Sequence, residues 1–182
     1  MRRGNELRAL PSHEPAEAAI DLAVLSPVWD RVVRDAAEVI STAARQALTR
    51  GLAEGGSVPQ GRLELSIVLA DNAEQRRLNR DWRGIDRSTN VLSFATWDPA
   101  VELLPDAPLL LGDVVLAYET VVREAKEQGK AITDHLCHLI VHGVLHLLGY
   151  DHATEREAVV METLETSILA SLGVADPYRF TM

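Results

Sequence analysis

Apolar residues alternate with polar or small ones from Ala18 onward, at Ile20, Leu22 and Val24, a period of two that predicts a short strand. Ser26-Pro27 then offers a hydroxyl cap followed by proline at a first helical position. Val28, Val32, Val39, Ile40, Ala43, Ala44 and Leu48 keep approximate helical spacing behind it, and Gly51 is expected to end that helix. The stretch from Gly55 to Gly61 reads as a turn. Leu63, Leu65, Ile67 and Leu69 alternate with Arg62, Glu64, Ser66 and Val68 to give a second strand. Asp71 with Glu74 has the spacing of a capping box and opens a helix from about Asn72 to Trp82. Further strands are expected at 91–96, with Leu92 and Phe94 on one face, and at 111–116. The intervening residues 97–110, with Trp97, Pro99, Pro105 and Pro108, form a loop that is a candidate lid or partner surface. An amphipathic helix from Tyr118 to Gln128 is stopped by Gly129.

Thr133 or Asp134 is the expected cap of the next helix. Its apolar residues Leu136, Leu139, Ile140, Val144, Leu147 and Leu148 circle most of the axis, so this helix belongs at the centre, largely buried. It also carries His135, His138, His142 and His146, and His138, one turn before His142, is expected to line an active cleft. Thr154 with Glu157 makes another capping box. The closing helix places Ala158, Met161, Leu164 or Glu165, Ile168 and Leu172 at helical spacing up to Gly173, with Met161 read as core.

Length adds that the 182 residues suit one domain with a real core. Residues 1–17 mix charge, proline and small residues without period and read as a loose leader, leaving 18–182 as the single domain. The paired arginines at the start have no apolar run behind them, so they are not read as a signal peptide, and no run approaches bilayer length. A cytoplasmic protein is the expectation, and the lone Cys137 suits a reducing compartment while lying in the apolar pattern of the histidine helix. The net charge of −9 argues against a surface that coats nucleic acid generally, so any such contact must be local. One local basic cluster exists: Arg76, Arg77, Arg80, Arg83 and Arg87 against Asp81 and Asp86. Arg76, Arg77 and Arg80 read as the solvated face of a surface helix. Arg83 precedes Gly84 at the helix exit, where a guanidinium can be aimed into a cleft to grip phosphate oxygens in pairs.

The chemistry gathers in His142-Gly-Val-Leu-His146-Leu-Leu-Gly149-Tyr-Asp-His152. Positions i and i+4 share a helical face, so His142 and His146 can aim two imidazoles at one ion, and a turn at Gly149 can swing His152 back as a third ligand. Three imidazoles with an open fourth position describe a catalytic zinc site. The spacing resembles the metzincin peptidase pattern, except that Gly143 stands where those enzymes carry the glutamate base. Asp113 and Asp151 are candidates to orient a ligand imidazole, with turn or capping roles as the alternative.

The same histidine motif resembles the signature of the YbeY family of metal-dependent endoribonucleases of ribosomal RNA maturation. Leu78-Asn79-x-x-Trp82-Arg83-Gly84, Thr89-Asn90-Val91-Leu92-Ser93-Phe94, Leu111-Gly112-Asp113 and Asp176-Pro177-Tyr178 resemble family blocks in the family order. Trp82 departs from the usual tyrosine or phenylalanine, and Ser88 and Ala95 from a common proline. The resemblance implies a single α/β (α+β) domain, a small mixed sheet with helices packed around the buried histidine helix. It implies one zinc ion on His142, His146 and His152, and that His142 and Arg83 are needed for activity. It further implies a single-strand-specific endoribonuclease acting in 16S rRNA 3′-end maturation and ribosome quality control, with the small subunit or its assembly factors as partners and no membrane. A non-catalytic assembly factor with structural zinc, and a metzincin-like peptidase lacking its glutamate, are the alternatives.

Overall fold

The computed structural model describes residues 18–59, 61–98 and 107–179. The leader at 1–17 and residues 99–106 of the proline-containing loop lie outside them.

The alternating segments form a four-stranded sheet of β1 (Ala18–Val24), β2 (Leu63–Ala70), β3 (Val91–Ala95) and β4 (Leu109–Ala117), in the order β1-β2-β4-β3. β1 and β4 run parallel to β2, and β3 runs antiparallel to β4, so the sheet is mixed as expected. β4 begins two residues before the expected Leu111. Leu109 and Leu110 pair with Leu63 and Glu64, but Leu65 pairs with Gly112, leaving Leu111 as an extra residue. That bulge breaks the period of two, which is why alternation alone hides the start of the strand.

Among the described residues five α-helices are placed along the chain: α1 (Asp30–Ala53), α2 (Asn72–Arg83), α3 (Tyr118–Glu127), α4 (Ile132–Leu147) and α5 (Glu155–Ser171). Leu63, Leu65, Ile67 and Leu69 of β2 join Val114 and Leu116 of β4 in the main core with α1 and α4. Their neighbours Ala70 and Val115 point the other way, into a smaller cluster with Leu92, Phe94 and Leu78 of α2. The sheet thus buries both faces near β4, and α2 is carried on the side away from α1.

Two helix ends differ from the sequence expectation. A 3-10 turn at Pro27–Trp29 precedes α1, and the Ser26 hydroxyl makes no cap bond. Trp29 anchors this corner instead, fully buried and donating its indole N–H to the Ala70 carbonyl at 2.7 Å. α1 also continues through Gly51 rather than ending there. A Cβ on Gly51 would stand 2.4 Å from Cδ1 of Leu148, so this glycine lets α1 and α4 approach closely instead of stopping a helix.

α4 is the central helix, in contact with α1, α3, α5, β3 and β4. It starts earlier than expected: Ala131 is its cap, without a side-chain bond, and Thr133 and Asp134 lie in its first turn. Asp134 there still complements the positive end of the helix dipole. Cys137 and Met161 are core, and burial pushes the Cys137 thiol up to about 11. α5 opens with the expected capping box between Thr154 and Glu157. Among the described residues no helix is long and apolar enough to cross a membrane.

Candidate metal centre

Helical spacing brings His142 and His146 one turn apart on α4 until their Nε2 atoms are 3.0 Å from each other. Gly149 then adopts a φ of 90°, the left-handed region that an L side chain rarely enters. Its N–H and that of Tyr150 donate to the carbonyls of His146 and Leu145, closing the end of α4. The turn returns His152 to the pair, with ring centroids 5.0 Å from His146 and 5.4 Å from His142. One nitrogen from each of the three histidines lies within 4.8 Å of the others, a group that can hold a metal ion.

The hydrogen bonds fix how these rings face. Nδ1 of His142 donates to Oε1 of Glu165 at 2.7 Å, and Nδ1 of His146 donates to the Tyr150 carbonyl at 2.9 Å. A carbonyl and an ionised carboxylate only accept, so both protons sit on Nδ1 and both Nε2 atoms carry lone pairs. Two lone pairs 3.0 Å apart repel unless a cation lies between them. The donor set therefore fits a metal, and burial, reinforced by neighbouring His142, holds the His146 pKa below its ordinary value, in the neutral form a metal requires.

Glu165 is the functional residue that sequence reasoning missed. It is fully buried on α5, where burial alone would raise its pKa. Hydrogen bonds from His138, His142 and Tyr178 outweigh burial and hold it at about 2. Tyr178 donates its hydroxyl to Oε2, the atom that His138 Nε2 approaches at 3.4 Å. The expectation that His138 lines the cleft is not met: it packs edge-on to the rings of Tyr178 and His142, outside the cleft lining. Asp113 and Asp151 do not take the orienting role either. Asp113 pairs with Phe94 across the β3–β4 ladder, and Asp151 accepts from the backbone N–H of His152 at 2.8 Å.

Gly143 occupies the place of the peptidase glutamate, and nothing larger fits. A Cβ there would stand 2.5 Å from Cγ1 of Val114 and 3.2 Å from Oγ of Ser93, whose hydroxyl donates to the Gly143 carbonyl. α4 has been drawn against the sheet at the point where a peptidase would project its base.

The basic cluster splits as the sequence suggested. Arg76 pairs with Asp86 at 2.7 Å, Arg77 with Glu74 and Asp81, and Arg80 with Asp81 at 3.2 Å. Among the described residues neither Arg83 nor Arg87 forms an ion pair, and both line a cleft of about 670 Å³ with His142, His146 and His152. Gly84, at a φ of 70°, ends α2 immediately after Arg83, whose guanidinium lies over the Phe94 ring, 5.9 Å from its centroid. One open cavity thus holds a metal-competent group and two arginines without an ion pair among the described residues.

A family model described as Endoribonuclease YbeY matches residues 31–173. The protein named Endoribonuclease YbeY from Paramagnetospirillum magneticum is 52% identical over 164 residues, covering 89% of this chain and 95% of that one. Its namesake from Rhodospirillum rubrum is 51% identical over 172 residues, covering 93% and 84%. The solution structure of TM1509 from Thermotoga maritima matches with a TM-score of 0.49 at 19% identity, over 88% of this chain and 99% of that one. By the extent of the model match and the identity to these relatives, the chain belongs to the endoribonuclease YbeY family.

Proposed function

We propose that the chain is a zinc-dependent endoribonuclease acting on single-stranded segments of ribosomal RNA, in 16S 3′-end maturation and ribosome quality control. The observation that carries this reading is the shared cleft: the three-histidine group and Arg83, which has no ion pair among the described residues, face the same cavity. The relatives' names support the reaction class, and the ribosomal small subunit or its assembly factors are the partners this role requires.

His142, His146 and His152 would hold the ion, and three imidazoles with an open position suit zinc. Zinc bound there supplies a Lewis acid and lowers the pKa of a coordinated water to about 7. The remaining work falls to the chain itself. Arg83 grips the phosphate through its paired N–H groups and offsets the negative charge that builds on its oxygens in the transition state. Glu165 and the Tyr150 carbonyl hold the protons of His142 and His146 on Nδ1, which would leave both Nε2 lone pairs free to bind the ion. The 2′-hydroxyl of RNA is a ready internal nucleophile, so no residue need replace the glutamate absent at Gly143.

The test compares wild type, His142→Ala and Arg83→Ala for bound zinc and for cleavage of structured ribosomal RNA, with folding followed by circular dichroism. Wild type binds one zinc and cuts, His142→Ala loses both, and Arg83→Ala keeps the metal and loses cutting. Equal processing by all three folded proteins overturns the reading in favour of a structural metal. Product ends separate the routes: a 2′,3′-cyclic phosphate marks attack by the RNA's own hydroxyl, a simple monoester attack by water.

A further inference from the structure

The nuclease reading leaves one prominent surface feature unused. Trp82 is 76% exposed, more than any other large hydrophobic among the described residues, whereas Trp29 of the same chain is fully buried. α2 does not need Trp82 for packing, because its apolar contact with the sheet is made by Leu78. An indole offers one of the largest apolar surfaces of any side chain, and leaving it in water forgoes that burial unless something covers it.

Its position says what. Asn79 and Arg83 both line the cleft, and Trp82, three residues after the first and one before the second, flanks that face of α2. Ile85, itself 42% exposed, and Arg87 continue the lining beyond Gly84. Arg83, Ile85 and Arg87 thus line the cavity that holds the histidine group, and Trp82 stands just outside that lining, next to Arg83 on α2. Cations meet phosphate oxygens, and a flat ring meets the face of a base, the combination by which single strands are held without sequence preference. A base inside a duplex has its faces covered by its stacked neighbours, so the surface fits an unpaired nucleotide. Arg83 and Arg87, without an ion pair among the described residues, favour a polyanion as occupant: Glu74, Asp81 and Asp86 are already taken by Arg76, Arg77 and Arg80, and the cavity lining sets only Asp151 against the two arginines.

We propose that Trp82 is a base-stacking platform for an unpaired nucleotide adjoining the phosphate held at Arg83, a subsite that rests on the nuclease reading above. The experiment uses zinc-loaded protein and a fluorescein-labelled single-stranded 2′-O-methyl oligoribonucleotide, under conditions in which the strand stays intact on a gel, with affinity read by anisotropy. Trp82→Tyr retains wild-type affinity to within about twofold, while Trp82→Leu and Trp82→Ala bind roughly tenfold more weakly. All variants keep wild-type zinc content, because the substitution is on the surface. A wild type that binds the strand, with the Ala and Leu variants binding equally well, overturns the stacking platform and leaves the nuclease reading standing. Retention by Leu with loss by Tyr also overturns it, since size rather than a π-face would then matter. A wild type that does not bind the strand at all overturns both.

Discussion

Oε1 of Glu165 lies 2.7 Å from Nδ1 of His142, tying an imidazole of the histidine group on α4 to a fully buried carboxylate on α5. The contact fixes the tautomer of a proposed ligand from behind, and Tyr178 and His138 hold the other carboxylate oxygen. Glu165→Gln keeps an acceptor for His142 but removes the charge that favours the Nδ1 proton. It should weaken zinc binding by roughly 10- to 100-fold, read by competition with a chromogenic chelator. Tyr178→Phe, which leaves the carboxylate in place, should have the smaller effect. Unchanged zinc affinity in a folded Glu165→Gln protein would show that the carboxylate does not orient the ligand.

The packing at Gly143 makes an independent claim. An added Cβ would meet Cγ1 of Val114 at 2.5 Å in a fully buried contact. Overpacking of this kind costs roughly 1–3 kcal/mol, against about 1 kcal/mol gained by replacing a helical glycine with alanine. Gly143→Ala should therefore lower stability in urea melts. Val114→Ala in the same chain should recover part of the loss, giving a double-mutant coupling of opposite sign to the single effects. Additive losses would place the clash elsewhere.

Sequence pattern reached the centre because its parts are local. His142, His146, Gly149 and His152 are joined by one helical turn and one glycine turn, and both can be read from spacing. Glu165 escaped because it meets His142 across 23 residues and from another helix. Its only local sign was an acid within the apolar stripe of α5, at a position weighed equally with Leu164. Asp151 adjoins His152 in sequence and Asp113 lies in the expected strand at 111–116, but Asp113 pairs with Phe94 across the β3–β4 ladder and Asp151 accepts from the backbone N–H of His152. Gly51 shows the same limit in the fold. A glycine that stops a helix and one that admits a neighbouring helix look alike until the partner, here Leu148, is known.

His135 gives a pH dependence whose sign can be worked out. It is 3% exposed, and its Nε2 donates to Oε2 of Glu124 at 2.9 Å, while its buried Nδ1 has no hydrogen-bond partner among the described residues. Burial lowers its pKa from 6.5, with Glu124 opposing that shift but not reversing it. The folded form thus binds fewer protons than the unfolded form as pH falls through 6.5, and acid removes stability. His135→Gln retains a donor toward Glu124 and does not titrate. Its urea midpoint should fall less than that of wild type between about pH 7 and about pH 5, with zinc held constant. Parallel pH profiles would exclude His135 as the source.

The five arginines around α2 supply the sharpest contrast for the cleft. Arg76, Arg77 and Arg80 are each held by carboxylates on the surface, whereas Arg83 faces the histidine group without an ion pair among the described residues. Exposed ion pairs of the first kind contribute little to stability. Arg77→Ala should therefore leave cleavage within about twofold of wild type and stability nearly unchanged. Arg83→Lys keeps the charge but loses the planar fork that engages two phosphate oxygens at once. Its cleavage rate should fall between wild type and Arg83→Ala, with Arg83→Ala lower than wild type by roughly 10²- to 10³-fold, the scale of losing a preorganised donor to a developing charge. Single-turnover rates on one RNA, with zinc content measured for each variant, decide the matter. If Arg83→Lys cuts as fast as wild type, the cleft needs only a positive charge there; if Arg77→Ala is as slow as Arg83→Ala, the phosphate is not held at Arg83 alone.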